Sequence, residues 1–556
     1  MSFPEQVHAE KHRVPGESLR QACNRVADAL KDNSTHYKHF RGMLMDGRFS
    51  PGGRVWAAMG AARDVTAYNC FVSGTIDDSM DGIMKAATEA ARTLRLGGGI
   101  GYDFSPLRPS GSLIRSLESH ASGPVSFMHI FDAVCGTIKA AGHRRGAQMG
   151  TLRIDHPDIL QFIRAKQTPG ALANFNVSVL VTDAFMNALE YGLDFDLTYN
   201  STVYSTVKAE WLWAEIMRST WDHAEPGVLF IDTINRMNNL YYCEDIAATN
   251  PCGELPLPPY GACLLGSFNA AAYMVKNSTG VWKFDLAQFE EDIPHAVRAM
   301  DNVVDRARYP LPRHEAEAKS KRRMGIGVMG VANAIEAKKC PYGSPAYVSG
   351  QTQILQALTH GAYIASIELA QEKGAFPLFS PERYPQGKFI ETLPKDIRTA
   401  IAKHGIRNSH LISIAPTGTI SMAADNVSSG IEPTFSKTQL RRVTLGDGRA
   451  QEQILHDYGV GTFGNDPRTV AQCTVDDHMD VLLGAVPYVD SAISKTVNVP
   501  RDIEWEDFKD IYIRAYMGGA KGITTYRPGN REDVLVDADA PAATCDVQDP
   551  NCQTCG

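Results

Sequence analysis

Cys252 lies in the run Asn250-Pro251-Cys252-Gly253-Glu254, and Cys263 follows eleven positions later. Proline fixes φ and glycine opens backbone angles closed to other residues, so this run favours a tight loop that projects the thiol. Glu254 beside it suits a general base, and Asn250 suits hydrogen bonding to a hydroxyl or carbonyl. A thiol between an amide and a carboxyl is equipped for proton and hydrogen-atom traffic, and a second thiol converging on it adds redox capacity. The bland alternative is a structural turn around a buried cysteine. Cys263 sits among small residues ahead of an apolar run, and Cys70 in Thr66-Ala67-Tyr68-Asn69-Cys70-Phe71-Val72 has the same character. Either also reads as a core cysteine in a strand.

Three further segments carry chemistry. The terminal Cys552-Gln553-Thr554-Cys555-Gly556 has the C-x-x-C spacing of thiol–disulfide exchange, with half a zinc site (Cys545 as a third ligand) or an idle pair as the alternatives. Ala415-Pro416-Thr417-Gly418-Thr419-Ile420-Ser421 offers hydroxyls and backbone amides after a strand-like stretch, a phosphate cradle or an ordinary turn. Gly142-His143-Arg144-Arg145-Gly146-Ala147-Gln148 reads as a basic loop that meets an anion, or as a solvated one. Gly97-Gly98-Gly99-Ile100-Gly101-Tyr102 fails the dinucleotide fingerprint, because Tyr102 stands where the last glycine is needed, yet it permits close backbone approach to a ligand. No P-loop pattern occurs.

These residues need a scaffold, and alternating segments supply one. Asn176–Val181 and Leu411–Ala415 read as strands; Ser79–Arg95 reads as a helix with Met80, Ile83, Met84, Ala87 and Leu94 on one face, and Gln353–Lys373 as another. Alternation of this kind over 51–530 implies an α/β domain with a largely parallel sheet or barrel. Residues 1–50, with Leu19, Cys23, Val26 and Leu30 in helical register, read as a small helical cap. From about 531 the chain turns acidic and small, the composition of a flexible arm. Apolar residues make up 44% of the 556 and charged ones 21%, the balance of a soluble enzyme. A net charge of −8 argues against bulk nucleic-acid binding. No apolar stretch nears the roughly 20 residues of a membrane span, and no secretory signal is visible, so the expected location is the cytoplasm with no membrane partner. Eleven cysteines in so long a chain are too sparse for a disulfide scaffold.

Taken in order, these segments resemble the catalytic subunit of ribonucleotide reductases. Asn69-Cys70-Phe71-Val72, Arg144-Arg145-Gly146-Ala147, Asn174–Val179, Asn250–Glu254 with Cys263, Ala415–Ser421, Ser428–Pro433 and Lys521-Gly522-Ile523-Thr524 carry the resemblance from about residue 50 to the end. It implies a ten-stranded α/β barrel with a central finger loop bearing Cys252. It assigns Cys252 as the thiyl radical that takes the ribose 3′ hydrogen, Glu254 as general base, and Asn250 as the residue orienting the substrate. Cys70 and Cys263 become the electron-donating pair that ends as a disulfide, and Cys552 and Cys555 re-reduce it. Asn69, Gly98, Gly99, Thr417, Gly418, Thr419 and Ser421 contact substrate; no metal-ligand set is expected. The spacing and the lone Tyr526 after Thr525 resemble the adenosylcobalamin-dependent class, whereas a class I-type large subunit taking its radical from a second protein through paired tyrosines is the alternative. A deoxynucleoside triphosphate effector would meet Asp78, Ser79, Met80, Arg108 and Arg115 at a homodimer interface, with Arg144, Arg145 and Gln148 linking it to the substrate base. The expected substrate is a ribonucleoside diphosphate or triphosphate, and the expected reductant is a thioredoxin-like protein. About 50 residues before the barrel are too few for an ATP-sensing activity module.

Overall fold

The computed structural model describes residues 2–114, 118–138, 146–444, 450–528 and 535–537. Its centre is an eight-stranded sheet. In chain order its strands are β2 (Cys70–Val72), β3 (Gly99–Asp103), β4 (Gln148–Arg153), β5 (Phe175–Val181), β6 (Gly227–Phe230), β7 (Ala262–Cys263), β10 (Thr496–Asn498) and β11 (Gly522–Tyr526). Their spatial order is β7-β2-β3-β4-β5-β6-β11-β10. A three-stranded sheet adds β1 (Phe49–Pro51), β8 (Leu265–Asn269) and β9 (Gly325–Met329) in the order β1-β8-β9.

β2 through β6 run parallel to one another, and the helices Met80–Arg95 and Pro124–Thr137 are two of the crossovers that parallel pairing requires. β5 shows why: Val177, Val179, Leu180 and Val181 are all buried, the near-continuous apolar run of a strand covered on both faces. β11 reverses direction against β6, and β10 then runs parallel to β11. The first strand, β2, pairs antiparallel with β7; a single residue, Leu264, separates β7 from β8, which pairs parallel with β9. Ile412 makes a parallel bridge to Ile326 of β9, and Ile414 makes one to Ile493, just ahead of β10. Thus the segment expected as a strand at 411–415 joins by single bridges rather than a ladder. The Asp490 carboxylate substitutes for part of one, accepting from the Leu411 and Ile412 amides at 2.7 and 2.9 Å.

The N-terminal helices Phe3–His12, Leu19–Leu30 and Ser34–Met45 begin at Ser2, Ser18 and Asn33, whose side chains accept from the first-turn amides. Cys23, Val26 and Leu30 are buried in the same apolar cluster as β8 and β9 residues. The helix expected at 353–373 begins earlier, at Pro345, behind the N-cap Ser344. The helix Met80–Arg95 is present but faces differently from the expectation. Ile83, Ala86, Ala87, Ala90 and Leu94 are buried, whereas Met80 and Met84 are exposed. Three alanines share the inner face with Ile83 and Leu94, so the bulk of a methionine is a misleading guide there. Residues 535–537, expected within the flexible arm, pair antiparallel with 439–441. No helix among the described residues is long and apolar enough to cross a membrane.

Candidate active site

Ala248–Thr249 pairs antiparallel with Pro256–Leu257, so the segment carrying Cys252 is a short hairpin. Its tip is closed from within. Asn250 Oδ1 accepts from the Leu255 amide at 3.0 Å, and Gly253, at φ +80°, donates its amide to the Asn250 carbonyl at 3.0 Å. Gly253 is in the left-handed region that glycine alone enters cheaply, which is why this loop can turn so tightly. Asn250, Pro251 and Glu254 are buried while Cys252 at the tip is exposed.

Bonds from many elements fix the hairpin. On one side Thr151 of β4 donates to the Ala247 carbonyl at 2.9 Å and Asn176 of β5 to the Pro251 carbonyl at 2.9 Å. On the other, the Glu254 carbonyl accepts from Ser413 Oγ and from the Ala492 amide, both at 2.9 Å. The ammonium of Lys521 donates to the carbonyls of Asp490 and Ser491 beside that last contact; burial lowers its pKa to about 8. Ala248, Leu255 and Leu257 pack with Cys70, Val72, Leu265 and Ala415. Full burial of a leucine contributes about 2 kcal/mol, so two of them in so short a hairpin hold it firmly. β3 approaches closest: a methyl group built on Gly101 would sit 1.9 Å from the Thr249 carbonyl oxygen. Gly101 of the glycine run thus serves close backbone approach to the chain's own hairpin.

Cys70 is buried on β2, and the register places residue 263 of β7 directly opposite it. Directly opposed residues of an antiparallel pair have Cα atoms about 4.5–5.5 Å apart, inside the range a disulfide spans. A methyl on Gly99 would lie 3.2 Å from Cys70 Sγ and 3.1 Å from Pro251 Cγ, so the buried thiol and the hairpin border the same point. The expected cysteines 70, 252 and 263 therefore lie on neighbouring elements.

Asn69, next to Cys70, has a buried Oδ1 without a hydrogen-bond partner among the described residues, and buried Asn250 has an Nδ2 in the same state. Buried amide atoms are rarely left so in the absence of a ligand or water. Gly98 packs against the Phe71 ring. Thr417 adopts φ +54°, strained for threonine, and its Oγ1 accepts from the Gly430 amide at 2.9 Å. Ser421 is buried and shares a hydrogen bond with Ser429 at 3.1 Å. Gly418 and Thr419 are exposed, and a methyl on Gly418 would meet nothing within 4 Å.

Away from the hairpin, Asp78 accepts from the Arg108 amide at 3.1 Å and from Arg108 Nε at 2.7 Å. Ser79 caps the following helix through the Gly82 amide, and Met80 is exposed. Gln148 belongs to the core instead of to a loop surface. It is fully buried, accepts from the Tyr102 hydroxyl at 2.8 Å and donates to the Phe131 carbonyl at 3.2 Å. Arg115, Arg144, Arg145, Cys552 and Cys555 lie outside the described residues.

Among the residues that hold the hairpin, sequence reasoning gave no role to Thr151, Asn176, Ser413 and Ala492. Asn176 and Ser413 left a trace, as polar residues in mostly apolar strand-like segments.

The family described as "Ribonucleotide reductase, barrel domain" matches residues 68–458 and 468–526. The chain belongs to this family. It is 34% identical to the vitamin B12-dependent ribonucleoside-diphosphate reductase of Mycobacterium tuberculosis, over 96% of this chain and 79% of that protein. It is 35% identical to the enzyme of the same description from Thermoplasma acidophilum, over 82% of this chain and 61% of that one. The vitamin B12-dependent ribonucleotide reductase of Streptomyces avermitilis is 27% identical, over 92% and 63%.

Proposed function

We propose that the chain reduces ribonucleotides to 2′-deoxyribonucleotides by thiyl-radical chemistry at Cys252, with adenosylcobalamin as the source of the radical. The observation that carries this reading is the meeting of elements remote in sequence: Cys70 opposite residue 263, beside a hairpin that presents Cys252. The names of the relatives add B12 dependence. Exposure of Cys252 at the tip fits a bulky corrinoid approaching its sulfur. Adenosylcobalamin, when bound, supplies one-electron chemistry by homolysis of its cobalt–carbon bond. The rest falls to this chain. The Cys252 thiyl takes the ribose 3′ hydrogen, Glu254 takes the 3′-hydroxyl proton and the 2′-hydroxyl departs as water. Asn250 Nδ2, its buried donor unengaged, orients the sugar hydroxyls. Cys70 and Cys263 supply two electrons and two protons and end as a disulfide, so ribonucleotide and dithiol become deoxyribonucleotide, disulfide and water. At position 525 a threonine shares a hydrogen bond with the Tyr512 hydroxyl at 2.8 Å, which leaves Tyr526 without an adjacent tyrosine for radical relay.

The finer architecture belongs to the same proposal. Single bridges at Ile412 and Ile414 link β9 to the start of β10, and Leu264 alone parts β7 from β8. With these joined, ten strands form a closed ring of two antiparallel five-stranded halves, the hairpin bonded to both. Thr417, Gly418, Thr419 and Ser421, with Asn69, Gly98 and Gly99, contact the substrate. Asp78, Ser79, Met80 and Arg108 form the effector region of a homodimer, Cys552 and Cys555 the shuttle to a thioredoxin-like reductant. The deciding assay mixes the purified chain with adenosylcobalamin, a ribonucleoside diphosphate and a dithiol, with no second protein. Deoxynucleotide formation that Cys252→Ala abolishes is the expected result; activity only with an added radical-generating subunit would overturn the cobalamin reading.

A further inference from the structure

The N-terminal helix Phe3–His12 lies against a short helix, Gly53–Ala58, and against Gly418–Ala423 of the proposed phosphate segment; Phe3 and Val7 pack with Met422 and Ala423. At its end His12 is 2% exposed, and neither ring nitrogen has a hydrogen-bond partner among the described residues. A neutral imidazole always carries one N–H donor, and burying that donor unpaired is costly unless something arrives to accept it. The ring has a direction. A methyl built on Gly53 would sit 3.0 Å from His12 Nε2, nearer than to any other ring atom, and 3.9 Å from Thr419 Oγ1. The preceding Gly52 faces the unpartnered Asn69 Oδ1 in the same way, at 3.1 Å. His12 Nε2 thus faces Gly53 on the side that Thr419 borders, one residue from the Gly52 position that Asn69 borders. The surroundings are cationic: Arg13, also buried, has an Nη2 without a partner, and its nearest acid, Glu5, is 3.9 Å from Nη1. Burial foremost, then His8, Arg13 and Lys11, holds the His12 pKa well below 6.5, so the ring offers a neutral N–H donor.

We infer that His12 is a phosphate-binding residue of the substrate site, its Nε2–H donating to the phosphate tail of a nucleotide seated on Thr419 and its neighbours. The inference rests on the phosphate reading of residues 417–421 and extends that site to the N-terminal helix.

The test is equilibrium dialysis of the full chain, without cobalamin, against CDP and against cytidine. His12→Ala should weaken CDP about tenfold or more, the size of one lost hydrogen bond to a charged group, and leave cytidine within about twofold. His12→Gln, which keeps a donor, should recover most of the loss. Thr419→Val serves as the reference. If it weakens CDP while His12→Ala does not, the inference fails and the phosphate loop stands; if neither weakens CDP, both fail. An equal loss for CDP and cytidine with lowered thermal stability would make His12 merely structural and overturn the inference. Should His12→Ala not fold, the imidazole ¹⁵N signal of His12, assigned through His12→Gln, must move when CDP is added to the unmodified protein; no movement refutes the inference.

Discussion

Gly101→Ala is the sharpest perturbation the architecture offers. The added methyl would stand 1.9 Å from the Thr249 carbonyl oxygen, whereas real side chains essentially never approach closer than 3.0 Å, so β3 and the hairpin must part by about 1.1 Å. The obstacle is backbone on both sides, which cannot swing away as a side-chain tip would. Overpacking of this kind costs roughly 1–3 kcal/mol, a lowered melting temperature but still a folded protein. The displaced element carries Asn250, Cys252 and Glu254, and an error of about 1 Å in such groups lowers rate about a hundredfold. Cobalamin-supported deoxynucleotide formation should therefore fall by about two orders of magnitude while circular dichroism stays native. Gly461→Ala, where the methyl meets nothing within 4 Å, is the control and should change neither quantity. A folded Gly101→Ala protein with undiminished activity would refute the view that hairpin position governs the chemistry.

Cys70→Ser should lower multiple-turnover activity with a dithiol by at least about a hundredfold, because the remaining thiol cannot close a disulfide; quantifying product per enzyme over many cycles checks it. Asn250→Asp keeps the acceptor for the Leu255 amide at 3.0 Å but exchanges the unpartnered Nδ2 donor for an oxygen. Thermal stability should hold within about 1 kcal/mol while kcat drops more than tenfold, read by calorimetry beside steady-state kinetics. Glu336 is buried, which raises its pKa to about 7, against the donated amides of Arg468 and Tyr342. Its folded form binds a proton that the unfolded chain has already released, so stability declines as pH climbs from about 4.5 to 7, by at most ~3 kcal/mol. Glu336→Gln should flatten that slope in denaturant titrations across this range.

What the sequence disclosed follows from how locally each feature is written. Asn250, Cys252 and Glu254 are neighbours along the chain, and the proline and glycine between them announce a tight turn. The opposition of Cys70 and residue 263 spans nearly two hundred positions, and no spacing rule encodes it; only family resemblance suggested it. β5 was legible because a strand buried on both faces is nearly continuous in apolar, β-branched residues, as Val177, Val179, Leu180 and Val181 are. The helix at Met80–Arg95 was legible by period, but its inner face is lined by small alanines whose contribution a bulk-weighted reading underrates. Residues 411–415 have the composition of a strand and join by single bridges, with Asp490 taking up the neighbouring amides. Gln148 looked like a loop polar group because its partners, Tyr102 and the Phe131 carbonyl, come from other elements. His12 gave no signal at all: it is one of two histidines in a charged helix, unremarkable until its neighbours are known.

The carbonyl of Glu254 is held by Ser413, 159 residues further on, and by Ala492, further still. During synthesis the cysteine-bearing hairpin leaves the ribosome long before either of those groups exists. Until then only the bonds from Thr151 and Asn176, made earlier in the chain, hold it, and the second side stays open to oxidants. A prematurely terminated product ending before residue 492 would own every side chain of the Asn250–Glu254 run and yet lack the clamp that aims it, so competence arrives only once residue 492 has been made.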